Sequence, residues 1–278
     1  MLYFIRTGKH LNLKDPGRFN EKIQWLKAFD HNELYTLLAD KYRVKDYIIS
    51  KIGAEYVIPT IGAWDSFDEI DFSELPDKFV LKCNHDSGGL VICTDKENLD
   101  IEACRKKINY SLRRNYFYQN REWAYKNISK KIFAEEFMEE PGVDGLNDYK
   151  FMVFNGKVQC VFTCTERYSQ DGLKVTFFDP EWNELPFERH YKKSLVPIPK
   201  PHNLTKMISI AEQLAKGIPF VRVDLYEINK KVYFGEMTFY PGSGMEEFRP
   251  DEWDLKMGGL AEIIYNWLRF VEEHNEKG

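Results

Sequence analysis

The sequence has no hydrophobic run of about 18 residues, the length that a transmembrane helix needs. Its first residues also lack the apolar stretch and the small-residue cleavage site of a secretory signal. Thirty-nine lysines and arginines stand against 44 aspartates and glutamates, which gives a formal charge of −5. No basic excess is therefore available to attract nucleic acid or an anionic membrane. We expect a cytoplasmic protein with no integral membrane span and no nucleic-acid partner.

The sequence also has few cysteines and no regular arrangement of them. The five cysteines are odd in number and include no CxxC pair, so neither a disulfide framework nor a zinc site is indicated. Internal repeats and low-complexity tracts are absent from the sequence. With 43% hydrophobic residues among 278, the chain can bury a substantial core. We expect one large or two smaller globular domains, and the composition does not indicate an oligomeric state.

The apolar pattern divides the chain into a helical beginning and a remainder rich in strands. Helical spacing covers Phe19–Leu38 and continues from Asp40 to Ile52, with further helical stretches at about 101–130 and 202–217. Strand patterns cover residues 57–64, 78–85, 90–94, 131–138, 148–155, 157–164 and 174–179. Helices and strands in this order favour an α+β fold.

Residues 220–239 contain two apolar segments joined by a polar turn and predict an antiparallel hairpin. Alternation along the first strand places Arg222 and Asp224 on one face, and Glu236 and Thr238 can meet them from the second strand. Hard oxygen ligands in this arrangement suit Mg²⁺ held between carboxylates and nucleotide phosphates. The alternative is an ordinary hairpin whose charged residues face solvent.

A lysine lies inside the apolar strand pattern that precedes a glycine-rich loop. Lys82 in this position needs an anionic partner, and we expect it to point at phosphate. The alternative is an edge-strand lysine that reaches into solvent. The following Ser87, Gly88 and Gly89 can turn freely and offer backbone N–H groups to phosphate oxygens. His85 either touches phosphate or makes a local backbone hydrogen bond.

Taken in chain order, the polar side chains predict a nucleotide site. They are Lys41, Lys82, residues 85–89, Glu135, Glu136, Asp148, Lys150, Arg167, Arg222, Asp224 and Glu236. With these residues the sequence resembles the ATP-grasp superfamily, including the D-alanine–D-alanine ligases. It resembles more closely the teichuronopeptide-biosynthesis-like (TupA-like) family of bacterial surface-polysaccharide gene clusters. The segments that carry this closer resemblance are residues 16–27, 39–42, 75–85, 148–151 and 221–226.

The resemblance implies an ATP-grasp fold in which two α+β subdomains clasp ATP behind a helical lead-in. The implied ranges are 1–74 for the lead-in, 75–138 for the small subdomain and 139–278 for the large subdomain with the metal site. Lys41 and Lys82 would hold the phosphates and Asp148 the ribose. The adenine contacts would come from Glu135, Glu136, Phe137 and Met138.

The resemblance also implies a metal site and catalytic residues. Mg²⁺, for which Mn²⁺ can substitute, would be held by Asp224, Glu236 and Thr238. The family usually has asparagine at the last of these positions, so either Thr238 coordinates weakly or a second ion depends more on water. Lys150 or Arg167 would neutralise the transferring phosphoryl group. Arg222 and the backbone N–H of Gly242 would stabilise a tetrahedral oxyanion.

The activity that the resemblance implies is ATP-dependent ligation of a carboxylate to an amine through an acylphosphate. The family context implies a uronic acid of a surface polysaccharide as the carboxylate and an amino acid or amine as its partner. Two alternatives stay open on the residues alone. One is a kinase-like phosphotransferase acting on a sugar of the same pathway, and the other is a module that binds ATP without catalysis.

Overall fold

The computed structural model describes residues 1–140, 146–166 and 172–263. Its helices are α1 (Leu2–Thr7), α2 (Phe19–Phe29), α3 (Glu33–Ala39), α4 (Val44–Ile52), α5 (Ile101–Arg113), α6 (Phe117–Asn120), α7 (Leu204–Leu214) and α8 (Glu252–Leu260). Its strands are β1 (Thr60–Trp64), β2 (Phe79–Cys83), β3 (Leu90–Cys93), β4 (Ile132–Glu136), β5 (Asn147–Phe154), β6 (Lys157–Thr165), β7 (Lys174–Phe178), β8 (Glu188–Arg189), β9 (Phe220–Ile228), β10 (Lys231–Thr238) and β11 (Phe248–Arg249). The predicted α+β class is confirmed. The sequence pattern does not predict β8, β11 or α8.

The N-terminal part of the chain has more interruptions in its helices than the sequence predicts. The helix expected over Phe19–Leu38 ends at Phe29 and restarts at Glu33. The Asn32 side chain accepts a hydrogen bond from the N–H of Leu34 at 3.0 Å and starts the second helix. An asparagine that caps a helix in this way competes with a continuous helix through the same residues.

A turn precedes α4 and sets the position of a predicted site residue. The helix expected over Asp40–Ile52 begins only at Val44, because Oδ1 of Asp40 accepts hydrogen bonds from the N–H groups two and three residues further on, each at 3.0 Å. Lys41 therefore lies in this turn. Its N–H donates to the carbonyl of Asn84 at 3.0 Å, which ties the turn to the end of β2.

The smaller sheet has the strand order β1-β4-β2-β3, and its neighbouring strands are antiparallel. Helix α5 packs against β2 and β3. The side chains between them include Phe79, Leu81, Ile108, Ile132 and Ala134, all fully buried. Burying one large apolar side chain contributes roughly 1.5–3 kcal/mol. This sheet and α5 therefore form a hydrophobic core of their own.

The larger sheet has the order β10-β9-β5-β6-β7 and is also antiparallel. Along β9, Val221, Val223 and Leu225 are fully buried in the main hydrophobic core, to which α7 also contributes. Arg222 and Asp224 alternate with them and point to the opposite face. Alternate residues of β5, β6 and β7 also point to this second face. One face of the sheet therefore packs in the core, and the other can carry a site.

A bulge at Gly235 sets the direction of the side chains on β10. The pairing shifts by one residue between Phe234 and Glu236, after which Glu236 pairs with Asp224. Without the extra residue Glu236 would point to the other face, because side chains alternate along a strand. A Cβ on Gly235 would lie 2.9 Å from the ring of Tyr226. Glycine is therefore the residue that this bulge accepts.

The subdomain boundaries expected after residues 74 and 138 stay predictions. Strand β1 falls within the expected lead-in, although it pairs with β4 at the margin of the smaller sheet. The lead-in also contacts the larger sheet, where Val57 forms a bridge with Phe234. None of the helices in the described ranges is long and apolar enough to cross a membrane.

Candidate active site

One face of the larger sheet carries a row of charged side chains. Lys150, Asp224 and Glu236 are direct partners across β5, β9 and β10. Arg222 and Asp148 lie two residues from members of this row and share its face. The side chain of Asp224 is only 1% exposed. This burial contradicts the alternative of an ordinary hairpin with solvated charges.

Ion pairs connect the members of the row. Nε of Arg222 lies 2.6 Å from Oδ1 of Asp224, and its Nη2 lies 2.7 Å from Oδ2 and 2.9 Å from Oε1 of Glu236. Lys150 donates to Asp224 and lies 2.7 Å from Oδ2 of Asp148. Charges this deep in a protein are tolerated when they are paired and hydrogen-bonded. Three acids and two cations therefore form one connected network.

Neighbouring charges keep Lys150, Arg222 and Glu236 in their charged forms. Burial alone would lower the pKa of Lys150, but Asp224, Asp148 and Glu236 together outweigh burial and raise it. The pKa of Arg222 is raised for the same reason. Burial alone would raise the pKa of Glu236, but its cationic neighbours together outweigh burial and hold that pKa well below its ordinary value; they are Lys41, Arg222, Lys150 and Lys82. Glu236 is therefore a carboxylate, and its side chain is 32% exposed.

Lys82 has an anionic partner inside the protein. It donates to Oε2 of Glu135, while Nζ of Lys45 lies 2.6 Å from Oε1 of the same carboxylate. Because β2 lies between β4 and β3, the alternative of an edge-strand lysine is wrong. The phosphate contact of Lys82 and the adenine contact of Glu135 stay predictions. No role for Lys45 is predicted from the sequence.

Lys41 connects the two sheets. Its Nζ contacts the carbonyl of Asp86 in the loop between β2 and β3, and it lies 3.5 Å from Oε2 of Glu236 on β10. The lysine thus spans the space between the glycine-rich loop and the charged face. This position fits the expected role of holding an anion between the sheets.

The glycine-rich loop is held differently from what the sequence predicts. The N–H of Gly89 donates to Oδ1 of Asp86 at 3.0 Å, so it is already used within the loop. Neither Gly88 nor Gly89 has a left-handed φ. A Cβ on Gly89 would lie 2.5 Å from Oγ of Ser111, so close packing requires this glycine. Nε2 of His85 lies 3.1 Å from the carbonyl of Ser111 on α5, so the histidine has a backbone partner outside its own loop, and its contact with phosphate stays a prediction.

A cavity of about 400 Å³ lies between this loop and the charged face of the larger sheet. Six predicted site residues line it: Lys41, Ser87, Arg222, Glu236, Thr238 and Gly242. The sequence does not predict site roles for other lining residues, among them Tyr116, Glu122, Tyr125, His190, Ser243 and Glu246. Most of the latter come from loops and short turns, which have no periodic pattern to reveal them.

The turn Pro241–Gly244 has an unusual backbone and borders this cavity. Gly242 and Ser243 have φ of 57° and 56°, in the left-handed region. Oγ of Ser243 donates to Oε1 of Glu122 at 2.5 Å. Nη2 of Arg189 donates to the carbonyl of Pro241 at 2.7 Å. Because a trans peptide is planar, this bond directs the N–H of Gly242 away from Arg189.

Side chains of helix α2 hydrogen-bond to the backbone of the same turn. Nε2 of Gln24 donates to the carbonyls of Ser243 and Gly244 at 2.7 and 3.0 Å. Nζ of Lys27 donates to the carbonyl of Ser243 at 2.8 Å, and Nδ2 of Asn20 reaches the next segment. Positions 20, 24 and 27 lie on one side of a helix. The helical lead-in is therefore part of the site's framework.

None of the other predicted site residues in the described ranges lines this cavity. Glu136 is exposed, while Phe137 and Met138 are half-buried after the end of β4. Lys78 lies over the ring of Phe137, 5.7 Å from its centroid. Their contacts with adenine stay predictions. Arg167 lies outside the described residues.

The oxygen donors at this site fit a magnesium ion that arrives with a nucleotide. Asp224 and Glu236 face each other, and the hydroxyl of Thr238 lies 3.3 Å from Oε1 of Glu236. Within the described ranges, no group of three or more His, Cys, Asp or Glu side chains is arranged to hold a metal. Mg²⁺ is usually bound by one or two carboxylates together with substrate phosphates. Glu236 lines the cavity and suits such an ion. Asp224 is 1% exposed and bonded to Arg222 and Lys150, so its part in holding the ion stays a prediction.

Two antiparallel sheets, with a charged cavity between the β2–β3 loop and one face of the larger sheet, form an ATP-grasp fold. The family described as TupA-like ATPgrasp matches residues 21–262, and the chain belongs to that family. As a class, ATP-grasp enzymes are ATP-dependent carboxylate–amine ligases. Comparison with curated proteins found no match.

Several solved structures are similar to this chain. D-alanine–D-alanine ligase from Bacillus anthracis, complexed with ATP, is 14% identical with a TM-score of 0.46, over 80% of this chain and 63% of that one. The ATP-grasp ligase PsnB, complexed with a phosphomimetic precursor variant, Mg and ADP, is 10% identical with a TM-score of 0.42, over 79% and 57%. D-cycloserine synthetase DcsG is 13% identical with a TM-score of 0.43, over 74% and 63%. This chain thus spans less than two thirds of the length of each.

Proposed function

We propose that this chain is an ATP-dependent carboxylate–amine ligase that joins an amino acid or amine to a uronic acid of a bacterial surface polysaccharide. The observation that carries the proposal is the larger cavity, around which Lys41, Ser87, Arg222, Glu236 and Gly242 meet from separate segments of the chain. Cations, a carboxylate and a fixed turn are the groups that phosphoryl transfer and acyl transfer require. Because ATP is a substrate, we place the reaction in the cytoplasm.

In the first step the substrate carboxylate attacks the γ-phosphate of ATP. A bond forms between the carboxylate oxygen and phosphorus, the bond to ADP breaks, and an acylphosphate results. Lys41 and Lys82 hold phosphate oxygens, because this transfer depends mainly on the cancellation of charge. The side chain of Lys150 moves away from Asp224 and neutralises the transferring group. Arg167 is proposed for the same role. Asp224 keeps its contacts with Arg222 throughout.

Mg²⁺ would be held by three side chains of the hairpin. Asp224, Glu236 and Thr238 would hold the ion, which supplies positive charge to the phosphates when it is bound. The two carboxylates are anchored by Arg222, whose guanidinium reaches both of them. Their positions are therefore set before any ligand arrives.

In the second step the amine attacks the carbonyl carbon of the acylphosphate and phosphate leaves. Arg222 and the N–H of Gly242 stabilise the negative charge that develops on the carbonyl oxygen. Three contacts support this role for Gly242. The Arg189 bond orients its peptide, Glu122 holds the next residue, and Gln24 holds the turn from α2.

A screen for products tests the proposed reaction. Purified protein is incubated with ATP, Mg²⁺, uronic acids and amino acids in pairs, and ADP, free phosphate and product masses are measured. Ligation gives ADP, phosphate and an amide in equal amounts. A phosphorylated sugar without free phosphate would replace the ligase with the phosphotransferase alternative. ATP binding without any turnover would favour the non-catalytic alternative.

Lys82→Ala is expected to weaken ATP binding by at least about tenfold, because a charged hydrogen bond contributes roughly 1.5–3 kcal/mol. Glu135 keeps Lys45 as its partner, so the fold should survive the change. Calorimetric titration with ATP and Mg²⁺ measures the effect. Lys78→Ala is the matched control, since Lys78 is 46% exposed and pairs with Glu139. Equal affinity of the Lys82 variant and wild type would leave Lys82 with Glu135 as its only partner.

Gln24→Leu is expected to lower kcat about tenfold while leaving the KM for ATP unchanged. The variant loses both hydrogen bonds to the turn that carries Gly242, and small displacements of positioning groups cost up to about a hundredfold in rate. Gln213→Leu is the matched control, because Gln213 makes a similar bond to the carbonyl of Lys51 far from the turn. Similar kcat values for the two variants would show that α2 does not position the turn.

A further inference from the structure

A second cavity, of about 150 Å³, lies on the same face of the larger sheet. Its walls come mainly from β6, β7 and the residue preceding β7, with Phe162, Cys164, Leu173, Val175 and Phe177 among them. We call it the β6–β7 cavity. It shares four lining residues with the larger cavity: Arg222, Pro241, Gly242 and Glu246. The two cavities therefore meet at the group that is proposed to stabilise the oxyanion.

The register of the sheet explains why this part of the face is apolar. Lys150 pairs with Phe162, and Phe162 pairs with Phe177, so the charged row of β5, β9 and β10 continues as two phenylalanines. Val175 lies two residues before Phe177 and shares its face. A ligand in the β6–β7 cavity thus has charged groups at one end and apolar walls at the other.

The charged end carries three cations, of which Lys150 and Arg222 are already paired with Asp224. Lys150, Arg189 and Arg222 line it against one acid, Glu246. The side chain of Arg189 is 3% exposed, and its Nη2 lies 3.2 Å from Oε2 of Glu246. Nε of Arg189 is buried and has no hydrogen-bond partner among the described residues. A buried donor without a partner is costly. The guanidinium of Arg189 lines the cavity, where it can pair with an anionic group of a ligand.

The volumes of the two cavities indicate which reactant of the proposed ligase each one holds. A cavity of about 150 Å³ holds a benzene ring, and a hexuronate has about twice as many heavy atoms. The larger cavity offers that space, together with tyrosine rings and hydrogen-bonding groups. The smaller cavity therefore suits the amine reactant, and its chemistry selects among amines.

We propose that the β6–β7 cavity binds a small apolar amino acid, whose carboxylate meets Arg189 and whose side chain packs against Phe162 and Phe177. This inference rests on the proposed function, in which that amino acid is the nucleophile. Its ammonium group lies beside Glu246 and gives one proton to that carboxylate. The nitrogen lone pair then forms the C–N bond, the carbon–oxygen bond to phosphate breaks, and the second proton leaves with phosphate.

The test measures binding directly, with L-valine as the probe and isobutylamine as the same molecule without its carboxylate. Calorimetric titration uses the full chain with a non-hydrolysable ATP analogue and Mg²⁺. Valine is expected to bind at least about tenfold more tightly than isobutylamine, because the carboxylate meets a charged donor. L-glutamate is expected to bind at least about tenfold more weakly than valine, since its second carboxylate would lie against apolar walls.

Two variants locate the binding site. Leu173→Phe fills part of the cavity and should weaken valine binding at least about tenfold, whereas Leu112→Phe, the same change within α5, should leave it unchanged. Arg189→Lys keeps the charge but loses the guanidinium fork, and should reduce the preference for valine over isobutylamine. Valine that does not bind, or that binds equally to wild type and the Leu173 variant, overturns the proposal.

The product screen separates this proposal from the function on which it rests. Amide formation with other amines and without valine binding would leave the ligase standing and reject the amino-acid site. If the Leu173 and Arg189 variants change valine binding as expected and no carboxylate gives an amide, the ligase is rejected and the amino-acid site is supported.

Discussion

Glu236→Gln is expected to lower ATP turnover by at least about a hundredfold while leaving the fold intact. The change removes a carboxylate that its cationic neighbours keep ionised, and metal stabilisation of transferring phosphates is worth several kcal/mol. Arg222 keeps both of its bonds to Asp224 in this variant. Wild-type turnover should require Mg²⁺ or Mn²⁺, and the variant should lose most of its response to either ion.

The measurement is ADP release over a range of Mg²⁺ concentrations, with circular dichroism to check the fold. Glu184→Gln is the control, because this glutamate pairs with Lys193 at the surface, away from the charged row. Near-normal turnover in a folded Glu236 variant would remove this residue from the metal site.

Arg222→Met is expected to keep nucleotide affinity within a few-fold of wild type and to lose at least about a hundredfold in amide formation. The arginine is assigned to the oxyanion, and the loss of one such donor typically costs 10²–10³ in rate. Asp224 retains Lys150 as a partner, so its charge is not left alone in the interior. The larger loss should therefore appear in the second chemical step.

Arg222→Lys accompanies this variant because it keeps the positive charge and loses the paired donors of the guanidinium. Acylphosphate formation is followed by ADP release with hydroxylamine as the trapping nucleophile, and amide formation by mass spectrometry. Lysine is expected to support the first step and to restore little of the second. Wild-type amide formation by the methionine variant would reject the assignment of Arg222 to the oxyanion.

The strand patterns were the most predictable part of the fold. Periodicity located β9 and β10 and placed Arg222 on the same face as Asp224, because alternation is a local property of an extended chain. It also predicted that Lys82 needs an anionic partner. That partner within the protein is Glu135, 53 residues further along the chain, which no local pattern could identify. The helices were less well predicted, since the caps at Asn32 and Asp40 divide patterns that look continuous.

Several site residues could not be predicted because they act through backbone atoms or through distant pairing. Gln24 and Lys27 donate to carbonyls more than 200 residues away, and any side chain can meet such carbonyls. Arg189 lies in a two-residue strand with no pattern of its own. The β6–β7 cavity depends on the register of β5, β6 and β7, which brings a lysine beside two phenylalanines.

The sequence by itself determined the class of this protein: its α+β composition, its hairpin with two acids, and the order of residues that places it among ATP-grasp chains. The tertiary structure decided which of these residues work together. The bulge at Gly235 turns Glu236 toward Asp224, and α2 fixes the turn at Gly242. These outcomes depend on pairing register and on contacts between distant segments, which folding sets through the packing of whole elements and which local propensity does not contain.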